Sequence, residues 1–186
     1  MCIISSVSEQ AFISLGSNIE PERYLPQAVG ALRQLGRLLA VSAAYQNPAV
    51  GATAQPDFLN AAVLLDTELT PQALRHELRR LESRLGRRRT ADKFAPRTID
   101  LDLVLYGSKV IEETGLHIPD PDLLVRAHLA VLVAELAPDF RHPITGERLA
   151  AIASWLAAPA QLTLHAEVTQ QIRLLAARLA GDEGSV

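Results

Sequence analysis

The order of elements legible in the chain is strand, helix, strand, strand, helix, strand, then helices only, which predicts a ferredoxin-like α+β sandwich with a mainly antiparallel sheet and extra C-terminal helices. Three observations carry that order. Short apolar runs bounded by glycine and proline flank two leucine stripes at helical spacing, Thr98 to Tyr106 alternates apolar and acidic residues, and apolar helical stretches close the chain. No internal repeat or low-complexity block interrupts the pattern.

Ala11 to Leu15 reads as the first strand, broken by Gly16-Ser17-Asn18, a turn-forming triplet expected to leave backbone N–H groups free. Pro21 suits a first helical position, where a backbone N–H would be unpaired anyway, and Leu25, Val29, Leu32 and Leu35 recur on one face before Gly36 stops the helix. Leu38 to Tyr45 and Phe58 to Leu65 read as the next two strands. Gln46 to Asp57 between them holds two prolines and a glycine; so long a loop fits a substrate wall as well as a plain connection.

Thr70 and Pro71 open the second helix, which stripes Leu74, Leu78, Leu81 and Leu85 on one side and carries Arg75, Arg79 and Glu82 on the other. In the strand Thr98 to Tyr106, Ile99, Leu101, Leu103 and Leu105 face one way and Asp100 and Asp102 the other. Gly107-Ser108 predicts a hairpin into Lys109 to Ile111, followed by a proline-rich stretch, Ile118 to Pro121. Further helices are expected over His128 to Leu136, Ala150 to Leu156 and Val168 to Leu179, with fraying past Ala180.

The 186 residues, 48% hydrophobic and 21% charged, are enough for one self-supporting domain over 1–186 and exclude a mainly disordered chain. A net charge of -3 argues against a protein that coats nucleic acid or an anionic membrane. Cys2, the only cysteine, can form neither an internal disulfide nor a multi-cysteine metal cage, which points to the cytoplasm. Met1 to Gly16 lacks the basic start of a signal peptide, and no apolar run approaches the roughly 20 residues of a membrane helix. Of the 18 basic residues only Lys93 and Lys109 are lysine; arginine suits fork-like recognition of phosphate, although genomic base composition produces the same bias.

Two carboxylates at i and i+2 of a strand project from one face and can share a hard cation such as Mg2+, which is commonly held by one or two carboxylates plus substrate phosphates. A solvated polar face explains Asp100 and Asp102 equally well until their neighbourhood is counted. Arg87, Arg88, Arg89, Lys93 and Arg97 all precede the pair within a short polar stretch, an arrangement that suits a metal-bound polyphosphate. The P-loop, the dinucleotide-binding glycine motif, the HExxH zinc motif and the GxSxG nucleophile elbow are all absent, so a nucleotide site here must be built from arginine.

The run Lys93-Phe94-Ala95-Pro96-Arg97-Thr98-Ile99-Asp100-Leu101-Asp102-Leu103-Val104 resembles the hallmark segment of the 6-hydroxymethyl-7,8-dihydropterin pyrophosphokinase family. Phe12 to Asn18, Tyr45 to Asn60 and Leu81 to Arg89 agree in order and spacing, so the resemblance covers roughly Ala11 to Pro138, leaving a helical extension over 149–186. It implies the same fold and transfer of the βγ-pyrophosphoryl group of ATP to the pterin hydroxymethyl oxygen, with AMP released. It assigns two Mg2+ ions to Asp100 and Asp102, the triphosphate to Lys93 and Arg97, a lid closing over it to Arg87 and Arg89, and positions beside the ATP phosphates to Asp120 and Arg126. Asn60, Asn47, Pro48, Val50, Phe58, Phe94 and His128 would form the pterin pocket.

Several positions depart from the family pattern. Phe94 stands for a common tryptophan, Phe58 for tyrosine, Ala95 for glycine, Asp120 for histidine and His128 for an aromatic that stacks on the pterin. A carboxylate at position 120 is expected to repel phosphate, and an imidazole at 128 to bring a proton-dependent charge, unless it is a first-turn residue facing solvent. Glu82 aligns with a family residue but also fits a surface pair with Arg75 or Arg79. A paralogue acting on another pterin and a non-catalytic nucleotide- or pterin-binding module therefore stand beside the kinase reading. ATP and the pterin are the expected partners, with no nucleic acid or membrane, and the chain is expected to be a monomer or weak dimer.

Overall fold

The computed structural model describes residues 8–48, 55–88, 95–158 and 161–182. Its elements run β1 (Glu9–Ser17), α1 (Pro21–Leu32), β2 (Arg37–Val41), β3 (Tyr45–Asn47), β4 (Phe58–Thr67), α2 (Pro71–Arg84) and β5 (Asp100–Tyr106). After these come β6 (Ile111–Glu113), β7 (Leu116–Ile118), a 3-10 turn over Pro121–Leu124, α3 (Ala127–Leu136), α4 (Leu149–Ala157), β8 (Thr163–Leu164) and α5 (Ala166–Asp182). The main sheet orders its strands β5-β1-β4-β3-β8, with β2 also on β4, and every pairing is antiparallel. That is the expected ferredoxin-like core. Among the described residues no helix is long and apolar enough to cross a membrane.

Strand alternation sorts the core into two layers. Ala11, Ile13 and Leu15 of β1 and Leu59, Ala61, Val63 and Leu65 of β4 pack with the buried leucines of α1 and α2. Phe12 and Leu64 point the other way and pack with Leu129, Ala130 and Val133 of α3 and with α4. Because α3 covers only part of that second face, Ser14 and Gly16 of β1 and Phe58 and Asn60 of β4 are left to line an open cleft. Thr70 caps α2 as expected, accepting from Ala73 N–H at 3.3 Å.

Four expectations are corrected. The run Leu38 to Tyr45 is two strands, because residues 42–44 leave the ladder between them. Gly16 and Ser17 continue β1, and the Asn18 N–H is not free: it donates to the Arg97 carbonyl at 3.2 Å. The hairpin forms one step later than the Gly107-Ser108 turn, between β6 and β7 in a sheet of their own. On β5 a bulge opposite Phe12 and Ile13 ends the alternation: Leu101 and Leu103 stay with the α1/α2 layer, while Leu105 crosses to the α3 layer with Val104.

Candidate active site

The cleft, about 480 Å3, is floored by β1, β4 and β5 and walled by the start of α3 and the 3-10 turn before it. A second cavity of about 420 Å3 adjoins it across Asp100, Asp102, Asp120 and Asp122 and is lined on its far side by Arg75, Arg79, Arg87 and His117. Asn47, Pro48, Phe58, Asn60, Arg97, Asp100, Asp102, Asp120, Arg126 and His128, all read from the sequence as site residues, line the first cleft; Arg87 lines the second. Val50, Arg89, Lys93 and Phe94 lie outside the described residues.

At one end the groups are neutral. Asn60 is buried and donates from Nδ2 to Asn47 Oδ1 at 2.5 Å, which fixes the orientation of both amides. Its room comes from Gly16, its cross-strand neighbour: a Cβ there would lie 2.8 Å from Asn60 Oδ1. Phe58 shares this face, with the Arg97 guanidinium 5.6 Å from its ring centroid. His128 lines the cleft rather than facing solvent, and burial, then the Arg126 charge, lowers its pKa to about 4. The imidazole is therefore a neutral ring at physiological pH, which corrects the expectation of a proton-dependent charge.

The middle of the cleft is ionic. Asp100 Oδ2 accepts from Arg97 at 2.5 Å, and Oδ1 is paired with Arg87. Burial alone would raise the Asp100 carboxyl, but Arg87 and Arg97 hold it below the usual carboxylate range. Glu82 is not a surface residue: at 1% exposure it accepts from the Leu101 N–H at 2.9 Å and from Arg87, so it anchors both β5 and the arginine that reaches Asp100. Arg87 is thus held between two carboxylates. Asn18, buried, accepts from the Arg97 N–H at 2.8 Å and donates to Gln55 and to the Pro56 carbonyl, tying the β1 end to two other segments of the site.

Asp102 contrasts with Asp100. Among the described residues no hydrogen bond or ion pair engages it, and its carboxyl opens to the water of the cleft while protein crowds its other sides. That crowding, then the charges of Asp100, Glu82 and Asp120, raises its pKa to about 7. The Arg87 charge opposes this without outweighing it, so the carboxylate is short of a cation. Two carboxylates on one face do not make a closed metal cage, and no group of three metal-ligating side chains occurs among the described residues. The donor set fits instead a Mg2+ ion whose remaining ligands are water and phosphate oxygens.

Asp120 lies where the two cavities meet. Its Oδ1 caps the 3-10 turn by accepting from Asp122 N–H at 2.8 Å, and burial raises its pKa. Arg126 is paired with Asp122 at 2.6 Å. Residues that the sequence reading did not single out for the site, Gly16, Asn18, Gln55, Arg75, Arg79, His117 and Asp122, line or lock it. Gly16, Asn18 and Gln55 carried a signal, since they fall inside the Phe12 to Asn18 and Tyr45 to Asn60 stretches.

Residues 12–138 match the family model for 7,8-dihydro-6-hydroxymethylpterin-pyrophosphokinase. The 2-amino-4-hydroxy-6-hydroxymethyldihydropteridine pyrophosphokinase of Haemophilus influenzae is 38% identical over 72% of this chain and 84% of its own length. The enzyme of the same name from Bacillus subtilis is 39% identical over 68% of this chain and 77% of its own. Among solved structures, wild-type HPPK-DHPS of Plasmodium falciparum with pteroate superimposes with a TM-score of 0.66 at 11% identity, over 80% of this chain, which spans only 42% of that longer protein. The fold, the cleft and these matches agree, and the chain belongs to the 7,8-dihydro-6-hydroxymethylpterin-pyrophosphokinase family.

Proposed function

We propose that this chain transfers the terminal pyrophosphoryl group of ATP to the hydroxymethyl oxygen of 6-hydroxymethyl-7,8-dihydropterin, forming the pterin diphosphate and AMP in the cytoplasm. One observation carries the reading: a neutral pocket with two locked amides opens directly onto a carboxylate pair flanked by arginines. The amides of Asn47 and Asn60 offer donor and acceptor to the edge of a pterin, and Phe58 and the neutral His128 supply flat apolar walls for its ring. Asp100 and Asp102 would hold Mg2+, which when bound neutralises phosphate oxygens. Arg97 is placed to position the polyphosphate, with Arg126 nearby and Arg75, Arg79 and Arg87 on the nucleotide side. Holding the hydroxymethyl oxygen in line with the phosphorus it attacks is most of what this chemistry asks of a protein.

Incubation with Mg-ATP and the pterin, with AMP resolved from ADP, tests the reading. AMP formed only when pterin is present and Asp102 is intact is expected. ADP in place of AMP, or AMP formed at the same rate without pterin, would overturn it.

A further inference from the structure

The acceptor-side amide Asn47 sits on a three-residue strand that β4 alone does not hold. The β2 ladder on β4 ends at the pair Val41 and Val63, and that of β3 begins at the pair Tyr45 and Asn60. Residues 42–44 therefore face only Ala61 and Ala62, one residue too many for regular pairing, and the chain bulges off its neighbour. The extra residue sets which face β3 presents: Tyr45 and Asn47 share the cleft face with Phe58 and Asn60 because of it.

A buried bulge has backbone groups that the sheet cannot satisfy, so their partners define what holds it. Ser42 still reaches β4, donating its N–H to the Ala62 carbonyl at 2.9 Å and accepting the Ala62 N–H on Oγ at 2.8 Å. Ala43 N–H donates to Glu135 Oε2 at 2.8 Å, and the Tyr45 hydroxyl donates to Glu135 Oε1 at 2.6 Å. Ala44 is held from beyond the family-matched residues altogether. Its N–H donates to Thr169 Oγ1 at 2.9 Å, and its carbonyl accepts from His165 N–H at 2.8 Å. β8 then pairs with the outer edge of β3, and Arg173 of α5 lies 3.8 Å from Glu135. α5 is itself fixed, since Val168 and Ile172 are fully buried in the core and Thr169 is 7% exposed.

We infer that β8 and α5 brace the β2–β3 bulge, with Thr169 as the positioning residue that sets where Asn47 stands at the acceptor end of the cleft. The inference rests on the proposed reading that Asn47 and Asn60 recognise the pterin. Thr169 touches neither substrate; it acts through the Ala44 peptide. The same network keeps the Tyr45 phenol a donor, its pKa raised to about 12 first by the bond to Glu135.

The test is steady-state kinetics on the full chain for Thr169→Val, Thr169→Ser and Tyr45→Phe, with Asn47→Ala as a control and thermal melting alongside. Valine keeps the shape but removes the acceptor of a buried N–H, and serine restores it. Thr169→Val is expected to raise the KM for the pterin about tenfold while the KM for ATP stays within about twofold, with Thr169→Ser close to wild type. Tyr45→Phe, the milder change if the valine variant does not fold, is expected to raise the pterin KM about threefold with the same selectivity. Lower melting temperatures with an unchanged pterin KM, or equal rises in both KM values, would overturn the brace. An Asn47→Ala variant with wild-type pterin KM would instead overturn the assignment of the acceptor end.

Discussion

The neutral end of the cleft and its ionic middle are held by different forces. At the neutral end Asn47, Phe58 and Asn60 stand on adjacent strands, and the two amides lock each other over a glycine. In the middle the groups come from the end of α2, the chain entering β5 and the turn before α3, and they are held by opposite charge: Glu82 to Arg87, Arg87 to Asp100, Asp100 to Arg97. Strand-borne hydrogen-bonding groups select a shape. A charge lattice in which Asp102 has no ion pair among the described residues favours a ligand that brings a cation, as the metal-bound polyphosphate of the proposed function would.

The sharpest way to break this contrast is to change the two aspartates separately. Asp102→Asn is expected to lower kcat about 10²- to 10³-fold while the melting temperature stays level or rises, because a carboxylate repelled by Asp100, Glu82 and Asp120 is removed. Asp100→Asn should lower both, since it removes the carboxylate charge that Arg87 and Arg97 share. Equal stability losses in the two variants, or near-wild-type turnover in Asp102→Asn, would show the pair to be structurally equivalent.

Next in size is the neutral end. Asn60→Leu removes a donor and an acceptor from a buried edge and is expected to raise the pterin KM about 10- to 100-fold with little change for ATP. Gly16→Ala should act in the same direction by crowding Asn60 Oδ1. If either variant weakened ATP and pterin alike, the two ends would not be separable. A smaller effect is expected where the two cavities meet: Asp120→Asn keeps an oxygen to cap the 3-10 turn but drops the charge, so the KM for ATP should fall a few-fold. A rise in that KM would mean that the carboxylate contributes to holding the nucleotide's cation.

What the sequence made legible follows the same division. Asp100 and Asp102 could be placed on one face because period-two alternation fixes direction, whereas Asn60 and Phe58 were legible only through the family resemblance. The alternation failed at Leu105 and between Val41 and Tyr45, where single extra residues reverse the face without any compositional mark. Glu82 stayed open between two readings for another reason. A glutamate one or two turns from arginines on a helix looks like a surface pair, and its burial arises only when β5 brings the Leu101 N–H and Arg87 to it. Asn18 likewise gains its role from Arg97, 79 residues away in the chain.

His128 offers the smallest and cleanest prediction. Its ring lines the neutral end, and burial lowers its folded-state pKa to about 4 from an ordinary 6.5. Between those values the unfolded chain binds the proton and the folded chain does not. The stability contributed by the neutral ring is therefore complete above pH 6.5 and is lost as pH falls toward 4, by at most about 3 kcal/mol and less in so far as cleft water reaches the ring. His128→Phe should keep a flat wall for the pterin, leave kcat/KM within about threefold, and reduce the fall in melting temperature between pH 7 and pH 4.5. Over pH 6 to 8 the two proteins should give parallel activity profiles, because the histidine carries no charge to lose. An inflection near pH 6.5 present only in the wild type would mean that the imidazole titrates in the working enzyme, and the neutral end would then be ionic as well.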